Sequence, residues 1–484
     1  MLTRSNRQAT RFRPTLECLE DRRLLSAAAA VTGNDFLEVF LVSNVGGIAA
    51  NADPNLILPT GISDGPGGPF WVSDSGANVS TLYNTAGMPN PLVVAMPGPD
   101  GSAPNVTTSP TGQINPAADG TVFLIPGTGP GHGVPAAFIF ATADGTIAAW
   151  DPGLSPITEA VTVVDDSGQG ASFTGLASGT ITVNGTAQSF LYAADLRNGK
   201  IDVFDSSYQP VSPSSSSPLA AGAFQDAKVP AGFSPYNVRQ LGGNLFVTYA
   251  KVGPDGNPVL GAGQGFVDEF STTGQLITRF QGQGNLDAPF GLALVPTSGA
   301  GFAQSKFAGD VLVANTGTGT IAAFNPANGH FVGLLNNAAG QTLRINGLRG
   351  LQFGNGNGGG TAGELYFTAD PTQGPAKGLF GSLNFVSETR TAEMDTAILQ
   401  TELAANAGNP ATQSNLLSIL SAAQTMLNQD ITNHVPLTQA QSELHAALTN
   451  VLTANTAIID QVIGSLAHDK HLNDEFFRLV ETAF

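Results

Sequence analysis

FIFATADGTIAAWD (Phe138–Asp151), FLYAADLRNGKIDVFD (Phe190–Asp205) and VLVANTGTGTIAAFN (Val311–Asn325) are three copies of one unit. Each is a short run of β-formers, a polar turn built on Asp or Asn with Gly, and a second run closing on an aromatic and an Asp or Asn. Looser copies stand at FWVSDSGANVSTLYN (Phe70–Asn84), Leu245–Ser271 and Leu365–Leu383. A unit this small cannot bury its own apolar face, so its recurrence means that successive copies pack on one another.

Working upstream, a Gly-centred apolar triplet precedes each copy. The six are PTGIS (Pro59–Ser63), PTGQI (Pro110–Ile114), TGLA (Thr174–Ala177), SPYNV (Ser234–Val238), APFGLAL (Ala288–Leu294) and LRGLQF (Leu348–Phe353). Gly61, Gly112, Gly175, Asn237, Gly291 and Gly350 are equivalent, at steps of 51 to 63 residues. Downstream, another β-rich run commonly follows: Pro91–Pro97, Glu159–Asp166, Gly274–Phe280 and Gly329–Leu335. Four strands per unit, six times over, predict a six-bladed β-propeller over residues 36–385. Glycine on the innermost strand fits a crowded axis.

The ends of this register predict closure. The sixth unit runs out at Phe385 without its outer strand, while a spare strand, FLEVFLVSN (Phe36–Asn44), precedes the first unit. Residues 36–44 are therefore expected to pair around Gly381–Phe385 and remove both open edges.

Composition agrees. Of 484 residues, 59 are glycine and 31 proline, only 12% are charged, and 42% are apolar. That is turn-rich globular sequence, too apolar for general disorder. The net charge is −18, although the first thirty residues hold six arginines against three acids. So acidic a body is repelled by phosphate backbones, and nucleic acid is excluded as a partner. The single cysteine, Cys18, sits in that basic segment and leaves the body without disulfide, thiolate nucleophile or thiolate metal site.

Residues 1–30 read as an export leader. RFRPTLECLEDRRLLS (Arg11–Ser26) resembles the RP-x-LE-x-LEDR-x-LLS leader of exported planctomycete proteins. No 18-residue apolar run exists, so no transmembrane helix is expected. The propeller's motif order, from FLVSN through NADPNLILPTGIS and GPFWVSDSGANVSTLYN to GELYFTADP, resembles an uncharacterised bacterial family. Its members are exported NHL/gluconolactonase-like propellers, often carrying PEP-CTERM sorting tails. The resemblance implies a six-bladed propeller and an extracellular or cell-surface location, and implies no established activity.

Residues 386–484 change in kind. Glycine nearly disappears and apolar residues recur at helical spacing, as in Met394, Ile398, Leu399 and Leu403. A small appended α-helical bundle is expected there. His468 and His471 share a helical spacing, but with no Glu-x-x-His or cysteine companion they read as solvated helix-end residues.

Catalytic motifs fail on context. Gly61–Gly65 matches G-x-S-x-G, but Ser63 occupies an inner-strand slot rather than a strand-to-helix elbow. Gly354–Gly359 matches G-x-G-x-x-G with no helix after it. His132 stands in a Gly/Pro loop, and Ser212–Ser217 is low-complexity linker. No catalytic residue is assigned. Asp74, Asp195, Asn315 and Asp370 recur where the turn begins, and Asn237 puts an amide where the other five units have glycine. Such residues either cap turn N–H groups or form a ring of oxygens at the channel mouth suited to Ca²⁺. Gluconolactonase-like propellers use Glu, Asn and Asp in such a ring, but the inner strands here offer no matching Glu. Two functions follow: a non-catalytic exported scaffold binding a cell-wall component, glycan or protein, or a Ca²⁺-assisted hydrolase of lactones or esters.

Overall fold

The computed structural model describes residues 35–99, 108–214, 216–337, 340–371 and 377–385. The expected export leader (1–30) and the expected appended helical bundle (386–484) lie outside these residues. Among the described residues, regular structure is strand, with a few short 3-10 turns such as Pro116–Asp119.

Six sheets form in chain order, one per repeat, antiparallel except where Asp35–Ser43 makes short parallel pairs with Asn51–Ala52 and Asn336–Asn337. Their inner strands are Pro59–Asp64, Pro110–Ile114, Phe173–Val183, Phe233–Leu241, Pro289–Leu294 and Leu348–Phe353. Blades one, two, four and five carry four strands each. Blade three carries three, because among the described residues no outer strand follows Lys200–Asp205; Val211 N–H donates instead to the carbonyl of Val203. The Pro/Ser-rich sequence at this point lacks the β-formers for a fourth strand.

Blade six is completed from the other end of the propeller. The strand Asp35–Ser43 lies antiparallel to Leu379–Phe385, with Phe36 opposite Phe385 and Ser43 opposite Leu379. Phe36 is fully buried and stacks on Phe302 at 4.3 Å between ring centroids. Burial of one such ring contributes about 1.5–3 kcal/mol.

Apolar alternation packs blade on blade. Between blades one and two, Trp71 stacks on Phe138 at 4.3 Å and tilts against Trp150 at 4.7 Å. The turns obey local sterics: Gly145 sits at φ +83°, and a Cβ there would lie 2.6 Å from the carbonyl oxygen of Ala171.

The glycine of five inner strands, with Asn237 in the sixth, has a sharper role than filling a crowded axis. Every inner strand breaks register with its neighbour across or at the ring position, between Pro59 and Ile62, Pro110 and Gln113, Phe173 and Gly175, Pro235 and Asn237, Pro289 and Leu292, and Leu348 and Leu351. Such bulges bend a strand, and here the bent backbone meets the next blade. A Cβ on Gly61 would lie 2.3 Å from Thr111 O; on Gly112, 2.7 Å from the Gly175 Cα; on Gly291, 2.1 Å from Arg349 O; on Gly350, 2.6 Å from Thr60 O. Asn237 covers Gly175 and donates its Nδ2–H to Phe290 O at 2.8 Å. Six blades thus close backbone to backbone, leaving about 20 Å³ at the waist, enough for about one water.

Candidate functional site

Beyond this waist, where the inner strands end, lies a cavity of about 140 Å³. Blade one brings Ser63 and Asp64 to it, blade two Gln113, Asn115 and Asp119, blade four Arg239, and blade six Gln352. Leu176, Ile114 and Leu241 supply apolar wall.

Arg239 organises the cavity. Blade four faces blade one across a six-membered ring, and Arg239 spans that distance: Nη1 donates to Ile62 O at 3.3 Å and Nη2 to Gln352 Oε1. Gln352 in turn donates to Asp64 Oδ1 at 2.7 Å. Burial draws the guanidinium below its ordinary value, opposed by the nearby charges of Asp119 and Asp64. Burial also raises Asp64 to about 6, against the pull of Arg239 and of hydrogen bonds from Asn355 and Gln352. Asp119 reaches about 6 for the same first cause, opposed by the Ser178 hydroxyl at 2.8 Å and by Arg239.

Local sequence explains the placement of Asp119. Pro116–Asp119 is a 3-10 turn capped by Asn115, whose Oδ1 accepts from Ala118 N–H at 3.0 Å. Gly120, at φ +69°, ends it. Gln113 is held by the hydroxyls of Ser73 at 2.8 Å and Ser80 at 3.3 Å on its Oε1. Ser63 differs: its residue is 5% exposed, it lines the cavity, and its Oγ has no hydrogen-bond partner among the described residues.

No family model matches the chain. Uncharacterized protein R648 of Acanthamoeba polyphaga mimivirus is 31% identical over 353 residues, which is 71% of this chain and 79% of R648. The chain belongs to the R648 family. A second mimivirus relative, uncharacterized protein L690, is 28% identical over 64% of this chain and 77% of its own length. Both R648 and L690 are mimivirus proteins, and neither likeness bears on the expected bacterial, PEP-CTERM-associated family. Among solved structures, a streptogramin B lyase covers 73% of this chain and 99% of its own at 14% identity and a TM-score of 0.40. The Dos1 propeller covers 69% of each chain at 10% identity and a TM-score of 0.35.

In this R648 relative the recurrent turn residues lie at the opposite mouth from the cavity, at the starts of the inner strands: Asp74 pairs with Pro59, Asp195 with Phe173, and Asn315 with Pro289. Asp195 Oδ1 accepts from Ser172 N–H at 3.0 Å and Asn198 N–H at 3.1 Å, and Oδ2 from the Asn198 amide at 2.6 Å. Asn315 accepts from Asp287 N–H at 2.9 Å and donates to Asn285 O at 3.0 Å. Asp370 stands at the corresponding turn, its N–H donating to Gly347 O at 3.0 Å. Asn237 alone of the five reaches the axis, at the waist.

Asp74 enters a buried chain. Oδ2 meets Thr81 Oγ1 at 2.6 Å, Thr81 meets Tyr83 Oη at 2.8 Å, and Tyr83 meets Asp53 Oδ2 at 2.9 Å. Three links need three protons and two hydroxyls supply two. Complete burial, which pushes Asp74 well above the usual carboxylate range with Asp53 adding to it, places the third proton on Asp74.

Sequence reasoning missed the cavity. Its signal was there: Asp64, Arg239 and Arg349 are the only charges on any inner strand. Arg349, on the far side of the waist, donates to Tyr236 Oη at 3.0 Å.

Proposed function

We propose that the protein is a non-catalytic, exported binding propeller whose specificity resides in the cavity around Arg239. One observation carries the reading: Arg239 ties blades one, four and six at the channel mouth, with the carboxyl groups of Asp64 and Asp119 beside it on the same cavity. A preorganised, partly desolvated concavity with a few convergent polar groups is the usual form of a small-ligand site. The leader-like segment Arg11–Ser26 supports export to the cell surface or wall. The Ca²⁺-dependent hydrolase reading loses support from the oxygens of Asp195, which are engaged by three turn donors.

The test is a thermal-shift screen of the full chain with polar small molecules, followed by mass spectrometry of each stabilising compound. The expectation is stabilisation that Arg239→Gln reduces, with the compound recovered unchanged, and secreted protein whose N-terminus begins near residue 30. Turnover of a lactone or ester that EDTA abolishes would overturn the non-catalytic reading.

A further inference from the structure

We infer that the cavity takes a neutral, polyhydroxylated ring, the size of one terminal monosaccharide. This rests on the reading of the cavity as a binding site and adds the class of its ligand.

Charge decides the first part. Arg239 stands between Asp64 and Asp119. An entering anion meets two carboxyl groups and an entering cation meets a guanidinium, so either must approach a like charge. A hydroxyl group is both donor and acceptor, and it answers a wall that combines the guanidinium of Arg239, the carboxyl groups of Asp64 and Asp119 and the carboxamides of Gln113, Asn115 and Gln352. Guanidinium and carboxylate partners also make the stronger class of hydrogen bond.

Volume decides the second part. A water needs about 10–15 Å³ of such space, so 140 Å³ holds about ten water-sized spheres. That matches one six-membered sugar ring and is too small for two. Leu176 and Leu241 give the C–H faces of the ring an apolar wall.

The experiment is saturation-transfer NMR and titration calorimetry on the full chain with three sets of probes. The first set is the methyl glycosides of glucose, galactose, mannose and N-acetylglucosamine. The second is succinate and phosphate, and the third is putrescine and tetramethylammonium. At least one glycoside is expected to bind, at least tenfold more weakly to Arg239→Gln and not at all to Ala118→Trp. Ala118 is an exposed residue at the cavity wall, so a bulky side chain there blocks entry without repacking the core, and this variant decides if Arg239→Gln does not fold. Binding by the anions or cations alone, lost in Ala118→Trp, overturns the ligand class and leaves the cavity as a binding site. Glycoside binding unchanged in Ala118→Trp, or no binding by any set, overturns both.

Discussion

Gly291→Ala tests the closure of the ring most directly. The new methyl would sit 2.1 Å from Arg349 O and 3.0 Å from both Leu351 N and its Cγ. Ordinary contact begins near 3.4 Å, so blades five and six must part by roughly 1.3 Å at a point where the obstacle is main chain. Added methyl groups in packed cores typically cost about 1–3 kcal/mol, and an unyielding backbone obstacle puts this one near about 3 kcal/mol. Gly168→Ala is the matched control, because nothing lies within 4 Å of its Cβ position and its φ is ordinary. There the smaller entropy of the unfolded chain leaves stability equal or raises it by about 0.4–1 kcal/mol. Urea unfolding followed by fluorescence separates the two. With a slope near about 3 kcal/mol/M, Gly291→Ala should unfold about 1 M earlier than the parent. Coincident midpoints for Gly291→Ala and Gly168→Ala would show that the blades do not meet through their glycines.

Other expectations follow from particular side chains. Asp74→Asn should preserve the Asp74–Thr81–Tyr83–Asp53 chain, its amide replacing the acid proton, and stay within about 1 kcal/mol of the parent. Because burial raises Asp74, its contribution is complete below the unfolded value near pH 4 and declines as pH rises; urea midpoints from pH 4 to 8 should fall less steeply in the Asn variant. Asp268 is fully buried, neither oxygen has a partner among the described residues, and burial lifts it to about 7. Asp268→Val should therefore stabilise by about 1–3 kcal/mol, most of all above pH 7, and a destabilised variant at pH 8 would reveal a partner for that carboxylate. Phe36→Ala should cost about 3–5 kcal/mol by removing the ring that stacks on Phe302 and tilts against Phe385; calorimetry showing an unchanged transition would mean that the closing strand is dispensable. Asp195→Ala should cost about 1 kcal/mol whether Ca²⁺ or EDTA is present, and a Ca²⁺-dependent difference would return that residue to metal binding.

The repeat made the six blades readable, because Asp/Asn-Gly turns and alternating β-formers act over a few residues. The spare strand at Phe36–Asn44 was readable for the same reason: an unpaired edge at each end of a register is a local fact with one long-range solution. The three-stranded third blade was not announced, since a strand's absence is marked only by the lack of β-formers beside Ser212–Ser217. The polar ring was read from recurrence. Recurrence marks a shared backbone task, as the three donors around Asp195 show, whereas the cavity is built from residues that occur once. Arg239 meets Ile62 and Gln352 at separations of 177 and 113 residues, and only the ring's curvature brings them together. Charged residues on inner strands, Asp64 and Arg239 among them, were its visible trace.

The pairing of Phe36 with Phe385 has a mechanical consequence. The chain enters the first of these strands and leaves the second at the same end of an antiparallel pair. Tension drawn through residues 35 and 385 therefore loads the ladder one rung at a time, peeling it from Phe36 and Phe385 toward Ser43 and Leu379 rather than shearing all rungs together. Tethered at both ends, the propeller would yield at its seam under low force while its other five blades kept their strands.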